Sequence, residues 1–135
     1  MTDCLFCKIA AGEIPADKIY EDDHLMVFKD IAPKAEVHWL AIPKQHIVNL
    51  FDANDSHQGL LGEIMLRLPK LAKEYGLEGF RTITNTGAAA GQEVFHIHFH
   101  VIPRNNGTSL GLHGRSKAKT EHLETIAEKI RAALD

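Results

Sequence analysis

The sequence lacks a long apolar run, an excess of positive charge and a rich supply of cysteine, and each shortage excludes a class of protein. No segment approaches the roughly 20 apolar residues that a membrane span needs, and the first residues lack the basic and apolar regions of a secretory signal. The net charge is −3 over 135 residues, and the one basic run, at residues 115–119, is short. We therefore expect one cytoplasmic domain, residues 1–135, with neither a nucleic acid nor a membrane as its partner.

The two cysteines, Cys4 and Cys7, are spaced Cys-x-x-Cys at the start of the chain. A structural disulfide is not expected in a reducing compartment. A thioredoxin-like redox pair would follow a strand, and no strand is predicted before these residues. Two interpretations stay open from the spacing alone: half of a metal site, or two thiols with no special role.

The apolar pattern predicts an α+β domain with a five-stranded, mostly antiparallel sheet. Helical spacing predicts one long helix over residues 55–75, whose apolar face packs on the core and is also available to a dimer interface. A short helix over residues 3–11, capped by Asp3 and stopped by Gly12, precedes the sheet, and a closing helix is predicted over residues 121–134. Strands are predicted over residues 18–21, 25–28, 38–42, 81–85 and 94–102, the first two as a hairpin.

Three histidines, His96, His98 and His100, alternate with apolar residues in the last predicted strand. Strand periodicity puts the imidazoles on one face, about 6.6 to 7 Å apart, and the apolar side chains on the other. We expect the apolar face to pack on the long helix and the histidine face to stay open to a ligand. Because neighbouring charges oppose one another, at least one imidazole should be neutral and nucleophilic near pH 7, while a protonated neighbour binds phosphate or donates a proton.

Two other arrangements stay open for these histidines: exposed side chains without a role, or three ligands of one metal ion. The loop at residues 86–92, rich in glycine and alanine, precedes the predicted strand. Small residues let backbone amides approach an anion closely. The loop is therefore a candidate phosphate cradle, although such a run is usually no more than a loop.

The segment at residues 96–102, HIHFHVI, resembles the signature of the histidine triad family. Residues 28–35, 42–47, 85–87 and 91–95 resemble the family segments around it, so the resemblance covers about residues 4–104. It implies a homodimeric hydrolase or transferase without an organic cofactor, which cleaves purine nucleoside phosphoramidates at the α-phosphate. Dinucleoside polyphosphate hydrolysis is the alternative activity, and nucleotide binding with little turnover is a third.

The resemblance also implies roles for single residues. His98 looks like the nucleophile that forms a nucleotidyl-histidine intermediate, which water then cleaves. His100 looks like a phosphate contact, and His96 like the residue that positions His98. Asp30 looks like the acceptor of both ribose hydroxyls; the alternative is a turn residue before a proline loop. The other implied nucleotide-binding residues are Phe6, Ile9, Phe28 and Ile31 around the purine, and Asn85, Gly91, Gln92, Glu93 and Val94 towards the phosphate.

Glu93 and the C-terminal extension depart from the family pattern. Many relatives carry serine or threonine at the position of Glu93, and a carboxylate facing a phosphate is unfavourable unless it is protonated or turned away. Glu93 is then either a proton donor to a leaving amine or idle. The tail after Pro103 lacks the double glycine of one family branch, so substrate preference stays open.

Some family members bind zinc through a Cys-x-x-Cys pair and two histidines. The resemblance assigns these ligands to Cys4, Cys7, His46 and His96. Such a Cys₂His₂ set is a closed, structural type of zinc site. It would pin the N-terminal helix to the sheet and fix the ring of His96, two residues from the nucleophile.

Overall fold

A computed structural model of the protein describes residues 3–30 and 38–105. These residues form one five-stranded antiparallel sheet, which confirms the predicted α+β fold. Within them, no helix is both long and apolar enough to cross a membrane. The closing helix predicted over residues 121–134 and Ile31 lie outside the described residues. The α-helices and strands are α1 (Leu5–Ala10), β1 (Lys18–Glu21), β2 (Leu25–Lys29), β3 (Trp39–Pro43), α2 (Gln58–Glu74), β4 (Gly79–Ile83) and β5 (Phe99–Arg104). The strands lie in the sheet in the order β1-β2-β3-β5-β4.

The sheet carries an apolar layer on each face, because successive side chains of β2 and β3 point to opposite sides. The α2 layer packs the sheet on the long helix, and each fully buried side chain of this kind stabilises the fold by about 1.5–3 kcal/mol. Its members include Leu25, Val27, Trp39, Ala41, Ile64, Leu68, Leu71, Ile97, Phe99 and Val101. The α1 layer, on the other face, comprises Phe6, Ile9, Met26, Phe28, Leu40 and Ile42.

The predicted cap of the first helix is wrong by one residue. Cys4, not Asp3, is the N-cap of α1, and its sulfur accepts a hydrogen bond from the Cys7 amide at 3.3 Å. The extended backbone of Cys4 aims its side chain back over the first turn, as an N-cap requires. The predicted stop is confirmed, since Gly12 has a φ of +80° just after the helix.

The last strand begins at Phe99, not at residue 94 as predicted. The amide of Ile97 donates to the Ile47 carbonyl at 2.6 Å, and the ring of His98 turns back to bond the carbonyl of His96. Residues 96–98 make these hydrogen bonds instead of sheet pairs, and pairing with β3 begins where Phe99 lies opposite Ala41. His96 and His98 therefore precede β5, and only His100 of the three lies in it.

The predicted alternation of faces is nevertheless confirmed. Ile97, Phe99 and Val101 all belong to the α2 layer, so the histidines between them face the α1 side. The predicted openness holds only in part, because α1 lies over this face. His96 is 0% exposed and His98 is 7% exposed.

Candidate active site

A cavity of about 560 Å³ lies on the α1 side of the sheet, within the size range of small-molecule sites. One end is apolar, where the rings of Phe6 and Phe28 meet edge to face with centroids 5.6 Å apart. Every described residue predicted around a purine lines this cavity. At the apolar end these are Phe6, Ile9 and Phe28, joined by Val94.

The other end of the cavity is polar and holds the predicted nucleophile, His98. The Nδ1–H of His98 donates to the His96 carbonyl oxygen at 2.8 Å. A carbonyl can only accept, so the proton sits on Nδ1 and Nε2 keeps the lone pair. Burial lowers the pKa of His98, which favours the neutral ring. The geometry therefore presents Nε2 of His98 as a nucleophile.

The ring of Phe6 holds His98 from the side of α1. The two ring centroids are 5.1 Å apart with planes at 87°, and the same phenyl ring lies 6.0 Å from His96. This edge contact limits rotation of His98 about its side-chain bonds. The helix α1 thus contributes to the position of the nucleophile as well as to the apolar end of the cavity.

His100 is paired with a histidine that the sequence analysis missed. Nε2 of His38 lies 2.8 Å from Nδ1 of His100, and Nδ1 of His38 lies 3.8 Å from a carboxylate oxygen of Asp30. The second distance is an ion-pair separation rather than a hydrogen bond. Asp30, His38 and His100 thus lie in series. His38 orients the ring of His100 and is its partner for proton exchange. All three residues line the cavity.

The signal that would have found His38 is the same two-residue period. His38 precedes Leu40 and Ile42, and both of these belong to the α1 layer. His38 therefore shares their face, next to β5, where Leu40 pairs with His100. The predicted strand included His38, but no chemical role was predicted for it.

Gln92 lies beneath the cavity wall rather than in it. Its amide nitrogen donates to the carbonyls of Val48 at 2.7 Å and Val94 at 3.1 Å. Its oxygen accepts from the side chain of Asn49 at 3.1 Å and from the Gly87 amide at 2.9 Å. Both amide hydrogens are thus used within the protein, and Gln92 serves to brace the loop instead of donating to a phosphate.

The loop that Gln92 braces forms part of the polar end. It turns through Gly87 and Gly91, whose φ values of +91° and +92° favour glycine. Among the residues predicted towards the phosphate, Gln92 is the one that does not line the cavity. Those that do line it are Asn85, Gly91, Glu93 and Val94.

Cys4, Cys7, His46 and His96 form a separate cluster whose ligand atoms all lie within 4.8 Å of one another. Nδ1 of His96 is 3.4 Å from the Cys4 sulfur, 3.5 Å from the Cys7 sulfur and 3.3 Å from Nδ1 of His46. Tetrahedral zinc with Zn–S and Zn–N bonds of ordinary length separates its ligands by about 3.3 to 3.8 Å. The donor set and its spacing therefore fit a zinc ion.

The protonation state of His96 also fits a metal ligand. Nε2 of His96 donates to the Pro43 carbonyl oxygen at 2.7 Å, which leaves the lone pair on Nδ1, facing the two sulfurs. Burial lowers the pKa of His96 to about 4, so the ring is neutral near pH 7. Burial, followed by the neighbouring Cys4, raises the pKa of Cys7 to about 11, so a bound cation would have to displace the thiol proton.

A single metal site built from all three histidines finds no support. In the described part of the chain, the possible ligand groups place His96 with the cysteines and His100 with Asp30 and His38. The two groups are distinct, and His98 belongs to neither. The open alternative of idle, exposed histidines is also wrong, because His96 and His98 are buried.

Comparisons with known proteins agree on one family. A family model described as "Scavenger mRNA decapping enzyme C-term binding" matches residues 3–114. The chain is 53% identical to Protein HitA of Neisseria gonorrhoeae, over 76% of this chain and 96% of that protein. It is 40% identical to Protein hit of Bacillus subtilis, over 97% and 94% of the two chains.

Solved structures show the same architecture. A histidine triad protein from Clostridium difficile superposes with a TM-score of 0.75 at 42% identity, covering 81% of this chain and 96% of that one. A HIT family hydrolase from Clostridium thermocellum gives a TM-score of 0.74 at 41% identity, with the same coverage. At these identities the likeness extends to the family and not to the fold alone.

Proposed function

Because this chain belongs to the histidine triad family, we propose that it is a hydrolase acting at the α-phosphorus of purine nucleotides through a nucleotidyl-histidine intermediate. Relatives of the same fold are described as family hydrolases, which supports the general class. The observation that carries the proposal is His98, whose Nδ1 is tied to a backbone carbonyl at 2.8 Å. Its Nε2 is therefore the nitrogen that can attack, at the wall of a nucleotide-sized cavity.

The favoured substrate is a nucleoside phosphoramidate. The lone pair of His98 Nε2 attacks the α-phosphorus, the P–N bond to the leaving group breaks, and its electron pair goes to the nitrogen, which takes a proton and departs as an amine. Water then attacks the phosphorus, and the P–Nε2 bond breaks with its electrons returning to His98. This second step yields the nucleoside monophosphate and one proton, which replaces the proton that the amine took in the first step.

The pair formed by His38 and His100 supports this choice of leaving group. An amine must be protonated to leave, whereas a phosphate hardly needs a proton. His100 lines the cavity beside His98, with ring centroids 5.0 Å apart, and His38 bonds its other side. We assign to His100 a contact with the phosphate and transfer of the proton to the leaving nitrogen.

The apolar end and Asp30 account for recognition of the nucleoside. Phe6, Ile9 and Phe28 offer an apolar slot to a purine. The carboxylate of Asp30 is a short group that can only accept hydrogen bonds, which suits two adjacent ribose hydroxyls. The binding of the nucleoside and the attack by His98 thus use adjoining parts of one cavity.

We also propose that Cys4, Cys7, His46 and His96 hold a structural zinc ion. Such an ion would supply a closed Cys₂His₂ link and no catalytic step. It would tie the start of α1 to the segment that precedes β5. The same link would fix the backbone of His96, whose carbonyl orients His98.

The assembly is proposed to be a homodimer in the cytoplasm. Leu66 on α2 is 67% exposed, and Tyr75, the C-cap of this helix, is 52% exposed; apolar side chains of this size are commonly covered in dimers. Sedimentation velocity over a range of concentrations measures the assembly state. A monomer at all concentrations would contradict it.

The decisive experiment traps the covalent intermediate. The protein is mixed with an adenosine phosphoramidate or with a diadenosine polyphosphate, quenched within milliseconds to seconds and examined by intact mass, with peptide mapping of the adduct. We expect one nucleotidyl group on His98 and faster release of product from the phosphoramidate. His98→Ala is the matched control and should carry no adduct.

Three results would change the proposal. Faster turnover of the dinucleoside polyphosphate would make that hydrolysis the main activity. Nucleotide binding with negligible turnover of either compound would favour a regulatory binding protein. Turnover that chelation abolishes without unfolding, and that survives His98→Ala, would favour metal-dependent hydrolysis and contradict the mechanism.

A further inference from the structure

The cavity contains little positive charge for a site that is proposed to hold a phosphate. Among the described residues that line it there is no lysine and no arginine, while two, Asp30 and Glu93, are carboxylates. Phosphate sites usually rely on arginine, lysine or a metal ion to offset the charge. Here the groups that can carry a positive charge are the imidazoles of His38, His98 and His100.

The hydrogen bond between two of these imidazoles limits the positive charge further. At 2.8 Å, one of His38 Nε2 and His100 Nδ1 must donate and the other must accept. The pair therefore carries at most one positive charge while the bond exists. That charge can offset the single negative charge of a phosphoramidate, but not the several charges of a polyphosphate.

Glu93 is the more exposed of the two carboxylates that line the cavity. In the proposed reaction the nucleoside occupies the apolar slot, and the leaving group lies on the far side of the phosphorus, roughly in line with the attacking nitrogen. An exposed carboxylate on the wall of this cavity can act on the charge of that leaving group. The backbone of Glu93 is held in place because the preceding residue, Gln92, is bonded to Val48 and Val94.

We propose that Glu93 selects substrates whose leaving amine carries a second, remote positive charge, and that it disfavours anionic leaving groups. This inference rests on the proposed phosphoramidate hydrolysis and names the chemical class of its substrates. The remote cation takes no part in the bond changes and interacts with the Glu93 carboxylate through space. A dinucleoside polyphosphate is disfavoured for the same reason, because its leaving group is a polyanion.

The test uses three adenosine 5′-phosphoramidates that differ only at the far end of the leaving amine. The amines are 1,4-diaminobutane, pentylamine and 5-aminopentanoate, so the remote group is cationic, neutral or anionic while the reacting nitrogen is nearly unchanged. For the wild-type protein at low salt, we expect kcat/KM to fall from the cationic through the neutral to the anionic compound. The total range should be about fivefold to tenfold, since exposed charge pairs are partly screened, and it should shrink at 0.5 M salt.

Two variants that each lose one negative charge test whether Glu93 causes this dependence on the charge of the leaving amine. Glu93→Gln should reduce the range to less than about twofold. Glu74→Gln removes a charge from an exposed residue near the end of α2, outside the cavity, and should keep the wild-type order. An unchanged order in Glu93→Gln would overturn the assignment to this residue.

The remaining outcomes separate this inference from the proposed function. Equal turnover of all three compounds by the wild type would overturn the inference and leave phosphoramidate hydrolysis standing. A preference for the anionic compound would overturn it as well, and would indicate positive charge supplied from outside the described lining. If none of the three compounds is hydrolysed, the proposed function fails and the inference fails with it.

Discussion

Two clusters of histidines lie side by side on the α1 face and differ in nearly every physical respect. In the cysteine–histidine cluster, formed by Cys4, Cys7, His46 and His96, the two histidines face two sulfurs, and all four ligand atoms lie within 4.8 Å of one another. In the cavity cluster, His98 and His100 face an open volume of about 560 Å³. The first arrangement is closed and suited to structure, and the second is accessible and suited to chemistry.

The difference between the clusters is set by two backbone carbonyls. The Pro43 carbonyl takes the Nε2 proton of His96, so His96 presents Nδ1 to the cysteines. The His96 carbonyl takes the Nδ1 proton of His98, so His98 presents Nε2 to the cavity. Residues only two positions apart are thereby held in opposite tautomers, and the partner of each ring determines what the ring can do.

The largest effect is expected from removing the nucleophile. His98→Ala should lower turnover of an adenosine phosphoramidate by a factor on the order of 10⁴ or more, because no other group in the covalent mechanism forms the bond to phosphorus. Binding of the nucleoside monophosphate, measured by calorimetry, should change by less than about threefold. The matched control is His24→Gln, an exposed histidine 3.0 Å from Glu63, which should be active. Turnover within tenfold of wild type in His98→Ala would contradict the assignment.

A cysteine variant should have the opposite profile, with a loss of stability rather than of chemistry. Cys4→Ser keeps an N-cap acceptor for α1 but replaces a soft zinc ligand with a poor one. We expect loss of about one zinc per chain by metal analysis, and a fall of roughly 3–4 kcal/mol in the free energy of unfolding, the value of a ligand present at 100 to 1,000 times its Kd. Residual turnover per folded molecule should remain within about tenfold of wild type.

Cys7→Ser tests the same site without touching the side-chain cap. Both variants should melt at the temperature of the chelator-treated wild type, and neither should respond to chelator. A pure wild-type sample that contains no metal and melts at the same temperature with or without chelator would remove the zinc proposal. That result would not affect the roles proposed for His98 and His100, because the two clusters are tested independently.

The two clusters also show which structural features can be predicted from the sequence. The alternation of Ile97, Phe99 and Val101 was enough to assign the faces of this segment, because a period of two is a local property of extended chain. The start of β5 was not predictable, since it depends on the bond from Ile97 to Ile47, a partner distant in sequence. Local pattern thus determines which side a residue faces, and long-range hydrogen bonds determine where the strand begins.

The same distinction explains the site residues that were misjudged. Gln92 was predicted to reach a phosphate, but its partners Val48 and Asn49 lie more than 40 positions earlier, and nothing local indicates them. His38 was missed although its place beside Leu40 was sufficient to assign its face. A correct prediction for Gln92 would have required its tertiary contacts. For His38, it would have been enough to apply the two-residue period to one more strand.

A smaller effect is expected at His38, the partner of the proposed proton donor. His38→Ala should lower kcat roughly 10- to 100-fold, which is at or below the low end of the ~10²–10⁴-fold for a direct proton donor because His38 acts through His100. KM and the Kd of the monophosphate should stay within about threefold. His38→Gln offers an N–H to His100 Nδ1 and should recover part of kcat. If His38 were only structural, His38→Ala and His38→Gln would lose melting temperature and nucleotide affinity equally, without a selective loss of kcat.

The smallest effect is expected at Asp30, where one residue is placed to serve both binding and chemistry. Asp30→Asn keeps one acceptor but loses the charge, which should weaken binding of a ribonucleoside monophosphate about fivefold to tenfold, or roughly 1–1.4 kcal/mol. The 2′-deoxy analogue should lose less, because it lacks one of the two hydroxyls that Asp30 would accept. Asp52→Asn, on an exposed 3₁₀ turn, should change neither Kd. Equal weakening of both nucleotides would indicate that Asp30 acts through His38, 3.8 Å away, and not on the ribose.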